Sequence, residues 1–545
     1  VFRTLIPVSL VLLISGCNTI NSQFIKEDND ASTLSTETVA PEEENVWQEE
    51  ESLLSQAEDD SMLDVFLEPE ECELSELALQ EKKADSSVSI WEHISKNTEL
   101  HVHSKVRITM HKNWYLEHPR YFHKISKRAA PYVGYIVERL EQEDMPVDLA
   151  LLPVIESAYN PFAYSHGRAA GLWQFIPMTA ERFKLDNNWW YDGRRDVIAS
   201  TDAAIKYLKY LHRYFDGDWL HALAAYNAGE GTLRRAIKKN AAKGYPTDFF
   251  SLKLPEETRH YVPKLLALSQ LFNELSEHQL PLAEVAYGSR LAVIDTKGQI
   301  DISLLADLGG LPVETIQRLN PGFKRWATPP GNNGAVVVPL QLEQRYITQL
   351  ASLPDSKRMK WVRYRVRSGD SLIKIAKKYD TKPDLIASTN NIKGAFIRVG
   401  QYLMIPVAAK SLEDYPLTDA QRLVAKQSSG KGKTRIEHVV AAGDTLWDIG
   451  KLYKVRYADL ARWNSMAPGD TLKLGQKLVV WKKAQQGKSI TKVKYKVRKG
   501  DSLSTISNKF NVKVADVKRW NTSRLGKYIH PGQVLILYVD INEQS

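Results

Sequence analysis

The rhythm of apolar and polar positions divides the 545-residue chain into stretches of different kind. Leu5 to Ile14 is an apolar run interrupted by Ser9, too short for a bilayer span, which takes about 20 residues. From Asn18 to about Ser89 the chain is rich in Glu, Asp, Ser and Thr with no sustained period. It reads as a disordered tether over 18–89. From Ile90 to about Leu280 the period becomes helical. Val133, Ile136, Val137 and Leu140 share one face of 131–143, and Leu149, Leu151, Leu152 and Ile155 follow in 148–157. Ala203, Ala204, Tyr207, Leu208 and Leu211 mark a further helix, expected to begin at an Asp202 cap. Strand-like alternation is scarce, so 90–280 is predicted to be a mainly α domain.

The last third repeats itself. Tyr364–Leu372, His438–Leu446 and Tyr495–Leu503 each begin as an alternating strand, turn at Gly-Asp and enter a helix. Asn390, Asn464 and Asn521 close a second helical segment. Gly400-Gln401, Gly475-Gln476 and Gly532-Gln533 then lead into a final apolar strand. The pattern predicts three β-α-α-β units, at 362–407, 437–481 and 494–539. The polar stretches 408–435 and 482–493 between them read as flexible linkers, giving beads on a string. Residues 292–341 look like a degenerate fourth copy, with helical segments at 300–308 and 313–319, Asn320-Pro321, and a strand at 335–339. They lack the Gly-Asp-Ser/Thr turn.

Charge changes this picture. The formal net charge is +8, but 18–85 holds 21 acidic against 3 basic residues, and 86–545 alone carries a net +25. A basic body on an acidic tether suits nucleic acid, anionic lipid or an anionic polymer as partner. The 2 cysteines exclude a disulfide scaffold or a multi-cysteine zinc array. No phosphate loop or dinucleotide fingerprint is present. His101, His103, His118 and His123 have no carboxylate or Cys at ligand spacing, so no metal site is expected.

The three repeats resemble the lysin motif, LysM. That resemblance implies binding of N-acetylglucosamine-containing glycans in a shallow groove between the two strand–helix loops. Residues 361–545 carry 35 basic against 15 acidic side chains, which suits a polymer bearing carboxylates. At the other end, Arg3, the apolar run and Ile14-Ser15-Gly16-Cys17 are similar to the lipobox of bacterial lipoproteins, with 1–17 as signal peptide. The resemblance implies acylation of Cys17 and a bilayer anchor. Asn18 in place of Asp then implies an outer-membrane lipoprotein facing the periplasm. Such a protein meets no nucleic acid. Cys72 stands without a motif.

Four clusters in the helical domain need a common account: Pro153–Pro161 with Glu156, Gly171–Pro177, Ala225–Gly229, and Glu256–Val262. In this order and spacing they resemble the family 1 lytic transglycosylases, with their goose-lysozyme-like soluble lytic transglycosylase (SLT) domain. The expected fold class is therefore multidomain: a mainly α, lysozyme-like catalytic domain followed by small LysM modules. The family cleaves the MurNAc-GlcNAc bond of peptidoglycan without water, leaving 1,6-anhydro ends and using no cofactor.

Glu156 is the candidate acid. Apolar neighbours 151–155 disfavour its charged form and raise its pKa. No second carboxylate stands in a motif, which argues against two-carboxylate hydrolysis. By position, Tyr226 matches a family tyrosine near Glu156 and the reacting oxygen. Ser165 and Gln174 match sugar-contacting residues, and Glu257 matches a more distant acid. Asn227 orders its turn or a sugar; Tyr261 and Trp173 read equally as core or as sugar contacts. Ser157 is as good a cap as a site residue. The rival readings are a hydrolytic muramidase on the same fold and a non-catalytic wall-binding lipoprotein.

Overall fold

The computed structural model describes residues 88–100, 105–330, 335–430, 433–483, 490–521, 525 and 528–540. The signal segment, Cys17, the acidic stretch up to residue 87, Cys72, His101 and His103 lie outside them.

The helical domain runs through α1 (Ile90–Lys96), α2 (Val106–Glu117), α3 (Pro119–Ala129) and α4 (Val133–Glu141). A 3₁₀ turn (Val147–Leu151) then feeds α5 (Leu152–Ser157), and α6 (Pro177–Arg182), α7 (Val197–Tyr214), α8 (Trp219–Ala228), α9 (Glu230–Ala241) and α10 (Glu256–Asn273) follow. α10 is the spine. Val262, Leu265, Leu266, Leu268 and Leu271 are fully buried along it, each such side chain contributing about 1.5–3 kcal/mol. It packs on α2 and α8. Asp148 is buried at the start of the 3₁₀ turn, where it accepts from the Glu99 amide at 2.7 Å and from the Ser269 hydroxyl of α10.

α7 begins before the expected position. Asp196, not Asp202, is its cap, accepting from the Ala199 amide at 2.8 Å. Asp202 lies inside the helix and receives Arg139 Nε at 3.1 Å. The polar letters Ser200 and Thr201 hide the first turn, yet both are fully buried. Thr201 accepts the indole N–H of Trp173 at 3.0 Å.

Next come β1 (Leu291–Asp295), α11 (Ile302–Gly309), α12 (Val313–Leu319) and β2 (Ala335–Pro339), then α13 (Glu343–Ser352) and α14 (Asp355–Arg358). The first repeat is β3 (Lys360–Arg365), α15 (Leu372–Lys378), α16 (Pro383–Thr389) and β4 (Tyr402–Val407). After α17 (Asp419–Ser428), the second is β5 (Lys433–Val439), α18 (Leu446–Tyr453), α19 (Tyr457–Trp463) and β6 (Lys477–Lys483). The third is β7 (Ile490–Lys496), α20 (Leu503–Lys509), α21 (Val514–Trp520) and β8 (Val534–Asp540). In each unit the two strands pair antiparallel.

One side chain organises all four units. Asn320, Asn390, Asn464 and Asn521 each cap the second helix, donating to the carbonyl four residues back and to a carbonyl of the last strand. Each also accepts from the amide of that same strand residue (Val337, Met404, Val479 or Ile536) at 2.7–2.8 Å. A primary amide supplies both donor and acceptor at one point, which is why Asn recurs here. In the three repeats the Asp of the Gly-Asp turn closes its own loop. Asp370 and Asp501 accept from Tyr364 and Tyr495 of the first strand, and Asp444 pairs with His438.

The expected flexible linker at 408–435 is overturned over most of its length. Tyr415 is fully buried, and its hydroxyl donates to Asp301 of the fourth unit at 2.8 Å. The Ala409 amide reaches the other Asp301 oxygen at 2.9 Å, and Leu417 N–H donates to Gln317. Two apolar anchors in a polar sequence suffice to order the segment, because buried Asp301 requires these donors. Nor is the fourth unit a separate bead. Its core takes in Trp190 of the helical domain, Lys324 N–H donates to the Trp190 carbonyl at 2.8 Å, and Tyr132 donates to the Arg318 carbonyl at 2.7 Å.

Candidate active site

Glu156 closes the short helix α5. Pro153 sits in its first turn, and Ala158 (φ 48°) and Tyr159 (φ 55°) end it in the left-handed region. Two successive non-glycine residues there are costly. Three bonds hold them: Ala158 N–H to the Val154 carbonyl (3.1 Å), Tyr159 N–H to the Pro153 carbonyl (3.0 Å), and the buried Tyr159 hydroxyl to the Ala150 carbonyl (2.6 Å). This reversal leaves Glu156 half-buried, while its neighbour Ser157 is fully buried. The Ser157 hydroxyl serves the carbonyls of Pro153 and Leu172, so Ser157 is part of the framework.

The segment 171–174 runs alongside. Gly171 has φ 83°, and a Cβ there would fall 1.9 Å from the Arg194 carbonyl oxygen, so no other residue fits. Trp173 is fully buried: its ring is core, not a sugar platform. Its carbonyl accepts the Tyr226 hydroxyl at 2.8 Å. Gln174, at φ 46°, is half-buried and donates Nε2 to the Gly171 carbonyl at 2.8 Å. Ser165 stands at the base of a hairpin, where its hydroxyl accepts from the Ala169 amide at 3.0 Å. Arg194 braces that hairpin. It forks onto Asp192 at 2.8–2.9 Å and donates to the Arg168 carbonyl at 2.7 Å.

The first turns of α10 form the opposite wall. Tyr261 donates its hydroxyl to Glu156 Oε1 at 2.5 Å. Asn227 donates to exposed Glu257 at 3.0 Å and accepts from the Thr258 hydroxyl at 2.7 Å, so it bonds side chains rather than capping its helix. Behind this wall, buried His111 meets His260 at 3.1 Å. Burial, with Lys264, His260 and Arg107 nearby, drives its pKa down to about 3, so it is neutral.

Desolvation raises the Glu156 carboxyl to about 8, against the lowering effect of the Tyr261 hydrogen bond and with a further push from the Glu257 charge. Burial and the Glu156 charge push Tyr226 and Tyr261 well above the usual phenol range. Both remain O–H donors. The site thus holds a protonated acid, two neutral phenols and one open carboxylate.

Of the residues singled out in the sequence, Glu156, Tyr261, Tyr226, Asn227 and Glu257 come together here. Gln174 adjoins them through Trp173, and Ser165 sits on the adjoining hairpin. Tyr261 hydrogen-bonds Glu156 directly; the Thr258 brace lies inside the Glu256–Val262 cluster without having been singled out, and the Arg194 brace carried no motif. Among the described residues no group of three His, Cys, Asp or Glu is placed to hold a metal. His118 gives Nδ1 to the Trp114 carbonyl at 2.7 Å and stacks on that ring.

Comparison with known proteins agrees with this architecture. Residues 135–249 match the family described as Transglycosylase SLT domain, so Glu257 and Tyr261 fall beyond the match. Residues 364–406, 438–481 and 495–537 match the LysM domain. Residues 290–355 match a family described as Lytic transglycosylase MltD, LysM-like domain. An autolysin of Enterococcus faecalis is 33% identical over 195 residues, 33% of this chain and 25% of that one. The 70 kDa soluble lytic transglycosylase of Escherichia coli aligns at 20% identity, over 35% of this chain and 33% of that one. Its TM-score is 0.23, which carries no weight here. Membrane-bound lytic murein transglycosylase D of Escherichia coli is 35% identical over 399 residues, 71% of this chain and 85% of that one. With most of that relative covered and its LysM-like domain matched as well, the chain belongs to the family of membrane-bound lytic murein transglycosylase D.

Proposed function

We propose that Glu156 is the sole acid and base of this chain's reaction. The chain is a lytic transglycosylase acting on peptidoglycan, and its LysM repeats suit it to hold the wall. The observation that supports the residue assignment is the protonated, half-buried Glu156 carboxyl with Tyr261 as hydrogen-bond donor. Glu156 gives its proton to the glycosidic oxygen as the C1–O bond of MurNAc breaks. The Tyr261 hydrogen bond stabilises the carboxylate so formed. That carboxylate then takes the proton of the MurNAc C6 hydroxyl as its oxygen bonds to C1. The ring closes to the 1,6-anhydro sugar, Glu156 ends protonated, and no water is consumed. Tyr226, Gln174, Ser165, Asn227 and Glu257 line the path as sugar contacts; Tyr226 is oriented by the Trp173 carbonyl.

Digestion of purified wall followed by mass spectrometry tests this. Anhydro products are one water lighter than those of a muramidase, so hydrated ends would transfer the assignment to hydrolysis. The relative is named as membrane-bound. For this chain the anchor is proposed to be acylated Cys17 in the outer membrane, with the acidic segment 18–89 between lipid and enzyme.

A further inference from the structure

The second LysM repeat does not hang free of the catalytic domain. α17 carries it. Asp419 at the start of α17 receives Arg195 at 3.0 Å, and Arg422 lies over the Phe162 ring at 4.6 Å. At the other end of α17, Gln427 Nε2 donates to Asn464 Oδ1 at 2.8 Å, the same oxygen that clamps the repeat's last strand. Gly430 lies flat against Trp481 of β6; a Cβ there would fall 2.0 Å from the indole. The repeat is turned so that its helix–strand loop meets the Ser165 hairpin. Arg168 Nε pairs with Asp470 at 2.7 Å, and Arg168 also donates to the Gly469 carbonyl.

A shallow, widely open depression of about 460 Å³ lies at this junction, lined by Arg168, Met466, Asp470, Thr471, Lys473 and Gln476. We propose that the catalytic hairpin completes the second repeat's glycan groove at this point, so that the joint site takes the same strand that enters the cleft. The inference rests on the reading of the cleft given above. One hairpin forms a wall of both: Ser165 and Arg168 are three residues apart, and Ala170 of its return arm bridges to Phe175, next to Gln174. The lining suits an amino sugar bearing carboxylates. Met466 offers an apolar face, Thr471 a hydroxyl, and Lys473 positive charge. The Asp470 charge is already met by Arg168. An exposed ion pair contributes little by itself, so Arg168–Asp470 sets orientation while Trp481 and Gln427 hold the repeat. Fixing two sites on one strand raises the effective concentration at the second above what a loosely tethered repeat gives.

The test reads binding, so it does not depend on the chemistry assigned to Glu156; product masses from the unaltered chain judge that separately. In the full chain carrying Glu156→Gln, affinities are measured for long peptide-bearing glycan strands and for a muramyl tetrasaccharide. Asp470→Arg sets like charges against Arg168, and Gly430→Ala wedges the repeat off α17. Each is expected to lower the long-to-short affinity ratio by about tenfold or more. The double exchange Arg168→Asp with Asp470→Arg is expected to restore most of it. An unchanged ratio in both single variants overturns the inference. So does a ratio that rises, since the repeat would then obstruct the cleft.

Discussion

Tyr261 and Glu156, 105 positions apart in the chain, share a 2.5 Å hydrogen bond in which the phenol donates to the carboxyl. The bond works against the effect of burial. It lowers a pKa that desolvation has raised, and it is ready to receive the carboxylate that appears when the proton leaves. This opposition sets the first two predictions.

Glu156→Gln is expected to reduce cleavage of wall glycans by at least about 10²–10⁴-fold, the usual worth of general acid–base assistance. It is also expected to stabilise the domain, with a definite pH dependence. The folded carboxyl keeps its proton up to about 8, while the unfolded one loses it near 4.5. The folded state therefore binds more protons across that window, and its stability falls as pH rises through it. Gln has no such loss. Urea unfolding should show little difference between variant and parent at pH 4 and about 1–3 kcal/mol in favour of Gln at pH 9.

Tyr261→Phe removes the one effect that lowers the Glu156 pKa. The alkaline fall of kcat/KM, expected near pH 8 in the parent, should move to higher pH in the variant. At the same time kcat should drop by about tenfold or more, because the transient carboxylate loses its donor. A pH–rate profile measures both. A lower rate with an unmoved limb would assign Tyr261 to packing alone.

Asn320→Ala should loosen the fourth unit selectively. The side chain makes three bonds and leaves the Val337 amide and carbonyl buried without partners when it is removed. The cost is about 2–4 kcal/mol, since stranded buried groups count for more than the bonds themselves. Hydrogen exchange at Val337 should quicken accordingly, with protection in α10 little changed.

Cys17→Ala is expected to move the full-length precursor product from the membrane to the soluble fraction, while its specific activity on isolated wall stays that of the parent. Flotation with membrane after a salt wash would remove the acyl anchor from consideration.

Local signals were readable in the chain and distant ones were not. The strand, turn and Asn of each repeat lie within some 45 residues, so their letters were enough to predict the units. Glu156 was readable because its apolar neighbours are sequence neighbours. Its tie to Tyr261 depends on where α10 crosses the domain, and no periodicity reports that. Trp173 was ambiguous because an indole serves a core and a sugar platform equally; Thr201, which settles it, is a polar letter inside a helix. The stretch 408–435 has the letters of a linker and is ordered over most of its length by a distant partner. What orders it is Asp301, more than a hundred positions earlier, which lends the segment a need for donors that its own composition does not show.

That stretch also changes how load passes through the molecule. The first repeat leaves the fourth unit at Met359 and rejoins it at Ala408, both in contact with the same core, and its end strands pair side by side from Lys360↔Val407 onward. A wall strand that tugs on this repeat therefore pulls on both of its ends together. The force enters the neighbouring core through two adjacent attachments instead of along a single thread. Covalent chain on either side shares the tension, and neither attachment can be peeled away before the other is strained.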